Sequence, residues 1–161
     1  MFDPSTTELA LRVIVALLCG GAIGLDRELR SHSAGMRTHA LAAEGAAIFT
    51  IAGILIAGEA HQIGYVGADP TRVASTVAQG IGFLAAGVIF GSAARVKGLT
   101  TAAGLWTTAS IGMLCGGGFY RIALIATIAT LVVLSAFKVF ENQLDRLAGQ
   151  RQHEDTDDLS M

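Results

Sequence analysis

The sequence has little charge, few aromatic residues and almost no proline or cysteine. Only 15% of its 161 residues are charged and 6% are aromatic, with two prolines and two cysteines. A soluble domain typically has about 25% charged residues, so this chain lacks the charge to cover a water-exposed surface. Its basic residues form no patch that predicts nucleic-acid binding. No nucleophile elbow, phosphate loop, zinc spacing or haem motif indicates an enzyme.

The two cysteines, Cys19 and Cys115, both lie inside apolar runs. We expect them at different depths in a membrane and therefore predict no disulfide between them. The first residues, MFDPSTTE, are acidic where the start of a signal peptide is basic. We therefore expect no cleavable signal peptide.

Hydrophobic residues make up 52% of the chain and concentrate in five runs. These runs cover residues 9–25, 40–57, 73–90, 100–116 and 122–137, each close to the roughly 20 residues that span a bilayer with flanks included. Lipid offers no hydrogen-bond partner to the backbone, so such runs form helices or closed barrels. The runs lack the alternation of barrel strands. We predict an all-α integral membrane protein, a compact bundle of five transmembrane helices.

The positive charges predict the orientation of this bundle. An outside N-terminus leaves only Arg72 and Arg121 outside, whereas the cytoplasmic side holds Arg27, Arg30, Arg37, Arg95, Lys97, Lys138, Arg146 and Arg151. Positive charges favour the cytoplasmic side, so we predict an outside N-terminus and a cytoplasmic C-terminus.

The chain divides into a transmembrane domain, residues 1–140, and a short cytoplasmic tail, residues 141–161. Phe137, Phe140, Leu144 and Leu147 recur at helical spacing, which predicts an amphipathic extension of the fifth helix. The acidic, polar segment that follows is expected to be disordered.

Small residues recur at the four-residue spacing that lets membrane helices approach closely. Such pairs are Gly20/Gly24, Gly87/Gly91 and Gly112/Gly116. A small-residue face on the third run is formed by Thr76, Gly80, Gly87 and Gly91, and one on the fourth by Thr101, Gly104, Thr108, Gly112 and Cys115. We predict that these two faces form the seam of an antiparallel hairpin. The alternative is that glycine is simply common in membrane helices.

The loop after the first run holds the densest group of polar residues. Asp26 and Glu28 offer two carboxylates, enough to hold a partly hydrated Mg²⁺ ion. Alternatively they belong to an ion-pair network that positions the helix ends, which three nearby arginines favour. The same loop ends in His39, for which we predict an interfacial hydrogen bond.

Three further polar residues lie within the apolar runs. Glu44 is roughly 10 Å inside the second helix, and a carboxylate there is expected to face the protein interior. Arg12 is expected to extend its side chain outward to the membrane surface. Gln79 is expected to hydrogen-bond across the bundle.

Two other residues have expected structural roles. Asp69, followed by Pro70, is predicted to cap the third helix, with Arg72 close enough to pair with it. Trp106 lies in mid-span, so its indole N–H is expected to find an internal partner.

Four stretches together resemble the MgtC/SapB family: GGAIGLDRELR (20–30), AGMRTHAL (34–41), DPTRVASTVAQGIGFLAAGVIF (69–90) and GLTTAAGLWTTASIGML (98–114). They follow the family's order and cover most of residues 9–138. The resemblance implies a bacterial inner-membrane protein linked to growth in low magnesium, acid tolerance and, in pathogens, intracellular survival. It implies a regulator that acts on other membrane proteins, including the rotary ATP synthase, although some members are described as magnesium transporters.

The family motifs mark the polar positions to test: Asp26, Arg27, Glu28, Arg37, Thr38, His39, Asp69, Arg72, Gln79, Thr100, Thr101 and Trp106. Longer family members carry a cytoplasmic regulatory domain, for which residues 141–161 are too few. The chain therefore resembles a short, SapB-like member. Glu44 departs from the family pattern, which has an apolar residue there.

Two functions follow as hypotheses. The first is a non-enzymatic membrane regulator that acts through helix–helix contacts with other inner-membrane proteins or with a second copy of the chain. The second is an oligomeric Mg²⁺ or H⁺ transporter with Asp26 and Glu28 at its mouth and Glu44 and Gln79 deeper inside. No cofactor is expected besides Mg²⁺, and no nucleic acid. Convergence of Glu44, Gln79 and Thr101 on one wet cavity would favour transport.

Overall fold

A computed structural model describes residues 5–65, 67–92 and 95–135, which form five helices and one short hairpin. The predicted tail, residues 141–161, lies outside this part of the chain. The elements in chain order are α1 (Thr6–Leu29), α2 (Met36–Gln62), α3 (Thr71–Ala86), β1 (Phe90–Ser92), β2 (Arg95–Lys97), α4 (Leu99–Gly116) and α5 (Tyr120–Ser135). The prediction of a helical fold is confirmed, with the hairpin as an addition.

Two of the described helices, α1 and α2, are long and apolar enough to cross a membrane. With 24 and 27 residues, they reach about 36 and 40 Å at 1.5 Å per residue, more than the hydrocarbon core of about 30 Å. At the start of α1, the Ser5 side chain accepts a hydrogen bond from the backbone N–H of Glu8 at 3.2 Å. This N-cap fixes where the first helix begins.

The third helix ends earlier than the sequence predicts. The backbone N–H of Gly87 donates to the carbonyl oxygens of Phe83 and Leu84, at 3.3 and 3.1 Å, which tightens the last turn of α3. The chain then enters the antiparallel hairpin, where Gly91 pairs with Val96. The predicted Gly87/Gly91 helical pair is therefore wrong, because Gly91 lies in a strand.

Helix α2 packs closely against α1 through two glycines. A Cβ atom at Gly20 would lie 2.5 Å from the carbonyl oxygen of His39, and one at Gly24 would lie 2.6 Å from that of Gly35. Real Cβ atoms do not approach so closely, so only glycine allows this distance between the backbones.

The other side of α2 packs closely against α4. A Cβ at Gly112 would collide with the backbone carbonyl of Ala43, and one at Gly116 would lie 2.6 Å from the carbonyl oxygen of Ala47. The predicted seam between α3 and α4 is therefore wrong, since the small face of α4 meets α2. Larger side chains, such as Ile81, attach α3 to the bundle by packing on buried residues of α2 and α4.

The main buried cluster joins α1, α2, α4 and α5. It includes Ile23, Ala43, Ile111, Ala123 and Leu134. Cys19 and Cys115 belong to the same cluster, both as free thiols. The prediction that the two cysteines lie at different depths is wrong, because the end of α4, which contains Cys115, lies beside Arg12 of α1.

Candidate functional site

A buried arginine on α1 reaches the start of α4. The side chain of Arg27 is 3% exposed, and its Nη2 donates to the hydroxyl of Thr101 at 3.4 Å. Arg27 lies near the end of α1 and Thr101 near the start of α4, so this contact ties antiparallel helices together. A guanidinium inside a membrane bundle is costly, and residues of this kind mark functional sites by default.

A histidine on α2 completes the same region. His39 is fully buried, and its Nδ1 lies 2.9 Å from the hydroxyl of Thr108 on α4. Gly104 faces the ring, and a Cβ there would lie in ordinary van der Waals contact with the His39 Cε1 atom, at 3.5 Å. We call Arg27, His39, Thr101 and Thr108 the polar cluster. His39 thus hydrogen-bonds inside the bundle and not at the membrane interface.

Two atoms of the polar cluster have no partner among the described residues. Nε of Arg27 and Nε2 of His39 are both buried and make no hydrogen bond there. Leaving a buried polar atom unpaired costs about 1–3 kcal/mol, and proteins seldom tolerate it without a reason such as a ligand, an ordered water or a functional role. The polar cluster is therefore the candidate functional site.

The two carboxylates that flank Arg27 in the last turn of α1 accept hydrogen bonds from different partners. One oxygen of Asp26 accepts from Arg30 Nε at 2.9 Å and from the Ser135 hydroxyl of α5 at 3.1 Å. Glu28 instead accepts from the backbone N–H of Met36 at 2.8 Å, at the start of α2. Within the described chain, no group of three or more His, Cys, Asp or Glu side chains is arranged to hold a metal ion.

A second buried arginine lies at the opposite end of the bundle. Arg12 is 4% exposed, and its Nη1 donates to the carbonyl oxygen of Gly116 at the end of α4, at 2.9 Å. Its Nε donates to Glu8 at 3.2 Å, and Glu8 also accepts from the Tyr120 hydroxyl at 2.8 Å. The expectation that Arg12 extends outward is wrong. The last carbonyls of α4 have no donor within their own helix, and they attract the guanidinium inward.

Most other motif positions lie on the surface. Arg37, Thr38 and Thr100 are exposed. Asp69 accepts hydrogen bonds from the hydroxyl and the backbone N–H of Thr71, at 2.7 and 2.9 Å, and these bonds hold the pKa of its carboxyl below the usual value. Asp69 thus stabilises the start of α3, but its predicted position is wrong by one residue, because Pro70 is the N-cap.

Three expectations about polar side chains within the apolar runs have different outcomes. Gln79 is exposed on α3, so its predicted bond across the bundle is wrong. Trp106 is 51% exposed on α4 and is not directed toward an internal partner. Both residues lie on faces that neighbouring helices leave uncovered, which helical periodicity alone does not reveal. Glu44 is partly buried on α2.

Two grooves open on the outside of the bundle. The larger, about 590 Å³, lies between α2 and α3, and the smaller, about 290 Å³, lies between α4 and α5. Thr100 and Gly104 line the smaller groove, and Arg72 and Gly80 line the larger one. Asp26, Glu28, Glu44 and Gln79 line neither.

The long apolar helices and the arginine and histidine buried between them define the class: a helical membrane protein with a polar interior. Residues 13–143 match the MgtC family, and the chain belongs to that family. No solved structure is significantly similar to it.

Named relatives support the same assignment. YhiD of Escherichia coli K12, provisionally named a magnesium transporter, is 39% identical over 92% of this chain and 67% of its own length. MgtC of Brucella abortus is 40% identical over 84% of this chain and 54% of its own. MgtC of Salmonella typhimurium is 43% identical over 75% and 48%. The chain spans about half the length of these MgtC proteins.

Proposed function

We propose that this protein is a regulator in the bacterial inner membrane that serves adaptation to low magnesium, acid stress or intracellular life. It crosses the membrane five times, with its N-terminus outside and its C-terminus in the cytoplasm. It catalyses no reaction and acts through helix–helix contacts with other membrane proteins. The family resemblance makes the rotary ATP synthase one candidate partner, and a second copy of the chain another.

One observation carries this proposal: among the described residues, Glu44, Gln79 and Thr101 do not converge on a shared groove. Thr101 accepts from Arg27 in the interior, Gln79 is exposed on α3, and Glu44 is partly buried on α2. A transport path needs polar groups along one wet route. Their separation supports the regulator over the transporter.

The partly unsatisfied polar cluster supports a functional interior. A polar network that served stability alone would have all its members paired. Residues that violate local rules at a stability cost concentrate at functional sites. We infer that Arg27 and His39 hold α1, α2 and α4 in the arrangement that a partner recognises.

The alternative is an oligomeric Mg²⁺ or H⁺ transporter that uses Asp26, Glu28 and Glu44. The name of the Escherichia coli relative favours it. In this structure, however, the two carboxylates are held by different protein groups, because Asp26 Oδ1 accepts from Arg30 and Glu28 Oε2 accepts from the Met36 N–H.

The deciding experiment measures Mg²⁺ entry into proteoliposomes that contain the purified chain and a trapped magnesium dye. We expect no more uptake than in empty vesicles, from protein shown by circular dichroism to be folded. The matched variant is Asp26→Asn combined with Glu28→Gln. Saturable uptake that this double substitution abolishes would overturn the proposal in favour of transport.

A cellular test addresses regulation itself. In a strain that lacks the gene, the wild-type chain is expected to restore growth in low magnesium, and Arg27→Lys is expected not to. Lysine keeps the charge but loses the planar guanidinium that reaches Thr101. Full rescue by Arg27→Lys at equal expression would remove the polar cluster from the mechanism.

A further inference from the structure

The groove between α2 and α3 is an apolar channel with one cation in its wall. Its sides include Leu41 and Phe49 of α2 and Leu84 of α3, and Ala109 of α4 contributes to its floor. Arg72, at the start of α3, is the charged residue among those that line it. The groove therefore combines hydrocarbon walls with one basic residue, whose charge also interacts with the nearby Asp69 carboxylate.

Two glycines keep this groove open. An added Cβ at Gly45 on α2 or at Gly80 on α3 would meet no atom within 4 Å. These glycines thus differ from Gly20 and Gly112, whose missing side chains allow neighbouring backbones to touch. Larger residues at Gly45 and Gly80 would fill the space without displacing a helix.

The dimensions of the groove suit one hydrocarbon chain. From Arg72 to Leu84 the wall formed by α3 extends about 18 Å at 1.5 Å per residue, close to one leaflet, which is about half of the roughly 30 Å hydrocarbon core. The volume of about 590 Å³ lies within the range of small-ligand sites.

An α-helix is about 10 Å wide with side chains. A single extended acyl chain is much narrower and needs no hydrogen-bond partner from the walls.

The position of Arg72 selects the headgroup. Arginine binds phosphate oxygens in a bidentate manner, and its positive charge favours a lipid with a net negative charge over a zwitterionic one. Helix α3 begins at Thr71, so Arg72 lies in its first turn, at one end of the groove. The acyl chain therefore meets apolar walls, and the phosphate meets the Arg72 guanidinium at one end of the groove.

We propose that the groove between α2 and α3 is a binding site for an anionic phospholipid, with one acyl chain along Gly45 and Gly80 and the phosphate on Arg72. The site is independent of the proposed regulatory function, because it uses none of the polar cluster. It gives helix α3, which packs on α2 and α4, a lipid as a further packing partner.

Native mass spectrometry of the full chain, released from micelles with phosphatidylglycerol added, tests this proposal. We expect a one-to-one lipid adduct that Arg72→Gln weakens by about fivefold, the factor for one basic residue beside anionic lipid. Gly80→Leu should remove the adduct by filling the groove. Phosphatidylcholine should bind more weakly to the wild-type chain than phosphatidylglycerol.

Two matched variants control for general effects. Arg121→Gln removes an exposed charge near the start of α5, and Gly82→Leu adds the same side chain to α3 at a glycine that is also unobstructed. Neither residue lines the groove, so both variants should keep the adduct. Equal lipid retention by all four variants would overturn the proposal. So would a Gly80→Leu variant that loses a protein dimer and keeps its lipid.

Discussion

The two buried arginines show how differently one residue type is used at opposite ends of the bundle. Arg12 is paired with Glu8 and donates to the Gly116 carbonyl at the end of α4. Arg27 makes one long hydrogen bond, to Thr101, and its buried Nε has no partner in the described chain. Arg12 thus supplies a hydrogen-bond donor to a helix-end carbonyl, whereas Arg27 brings a buried N–H that has no acceptor in the described chain. The first is expected to stabilise the protein and the second to reduce its stability.

The largest expected effect comes from Arg12→Met. Loss of the guanidinium leaves the Gly116 carbonyl buried without its donor and breaks the pair with Glu8, so the free energy of unfolding should fall by about 2–3 kcal/mol. Reversible denaturation in detergent micelles, followed by circular dichroism, measures this. Arg121→Met, at an exposed position, should change it by less than about 0.5 kcal/mol. Equal stability of the two variants would contradict a structural role for Arg12.

The opposite sign is expected for Arg27→Met. This change replaces a buried cation, which makes no close ion pair among the described residues, with an apolar chain of similar length, so it should raise the free energy of unfolding by about 1–2 kcal/mol. The same denaturation assay applies. Arg30→Met, which loses a partly buried pair with Asp26 and a bond to Ser135, should lower stability by about 1–2 kcal/mol. A loss of unfolding free energy for Arg27→Met as large as for Arg12→Met would show that the polar cluster stabilises the protein and that the two arginines do not differ in this respect.

A smaller effect is expected from Thr108→Val, which removes the partner of His39 without changing the shape of the side chain. The free energy of unfolding should fall by about 1 kcal/mol. Thr130→Val is the matched control, because the partly buried hydroxyl of Thr130 donates to Ala126 on its own helix, a bond that adds little. Identical losses in both variants would show that the hydrogen bond between His39 and Thr108 contributes nothing specific.

The smallest effect is expected for Asp69, which belongs neither to the polar cluster nor to the contacts of Arg12 and therefore provides a baseline. Its pKa is lowered by the bonds from Thr71, so its contribution is present above the unfolded pKa of about 3.9 and disappears as pH falls through the lower folded pKa. Asp69→Ala should therefore be less stable than wild type at pH 7, with the difference shrinking below pH 4 and vanishing once the pH is below the folded pKa. A difference that is independent of pH would mean that the charge of Asp69 plays no part.

Much of the architecture could be predicted from hydrophobic length and turn chemistry. The runs at 9–25 and 40–57 lie inside α1 and α2, and Asp69 bonds to the start of α3 as expected. The hairpin after α3 was missed because residues 87–97 read as the end of an apolar run followed by a loop. The chain can enter these strands because the backbone hydrogen bonds of Gly87 end α3, and hydrophobicity does not indicate those bonds.

The roles of the glycines could not be assigned in the same way. Gly112 and Gly80 occupy similar small-residue faces in the sequence, yet Gly112 touches the backbone of Ala43 while Gly80 faces an open groove. Composition identifies a face that permits close approach. Which helix approaches that face depends on how all five helices are arranged.

The sequence by itself determined a helical membrane protein of the MgtC family, because long apolar runs must form helices in lipid and the motifs carry the family pattern. Only the tertiary structure decided which polar groups meet. It brings Arg27 together with Thr101, and His39 with Thr108, from positions about 70 residues apart. It also separates Asp26 from Glu28, although they are two residues apart, because successive helical positions rotate by about 100° and face different neighbours.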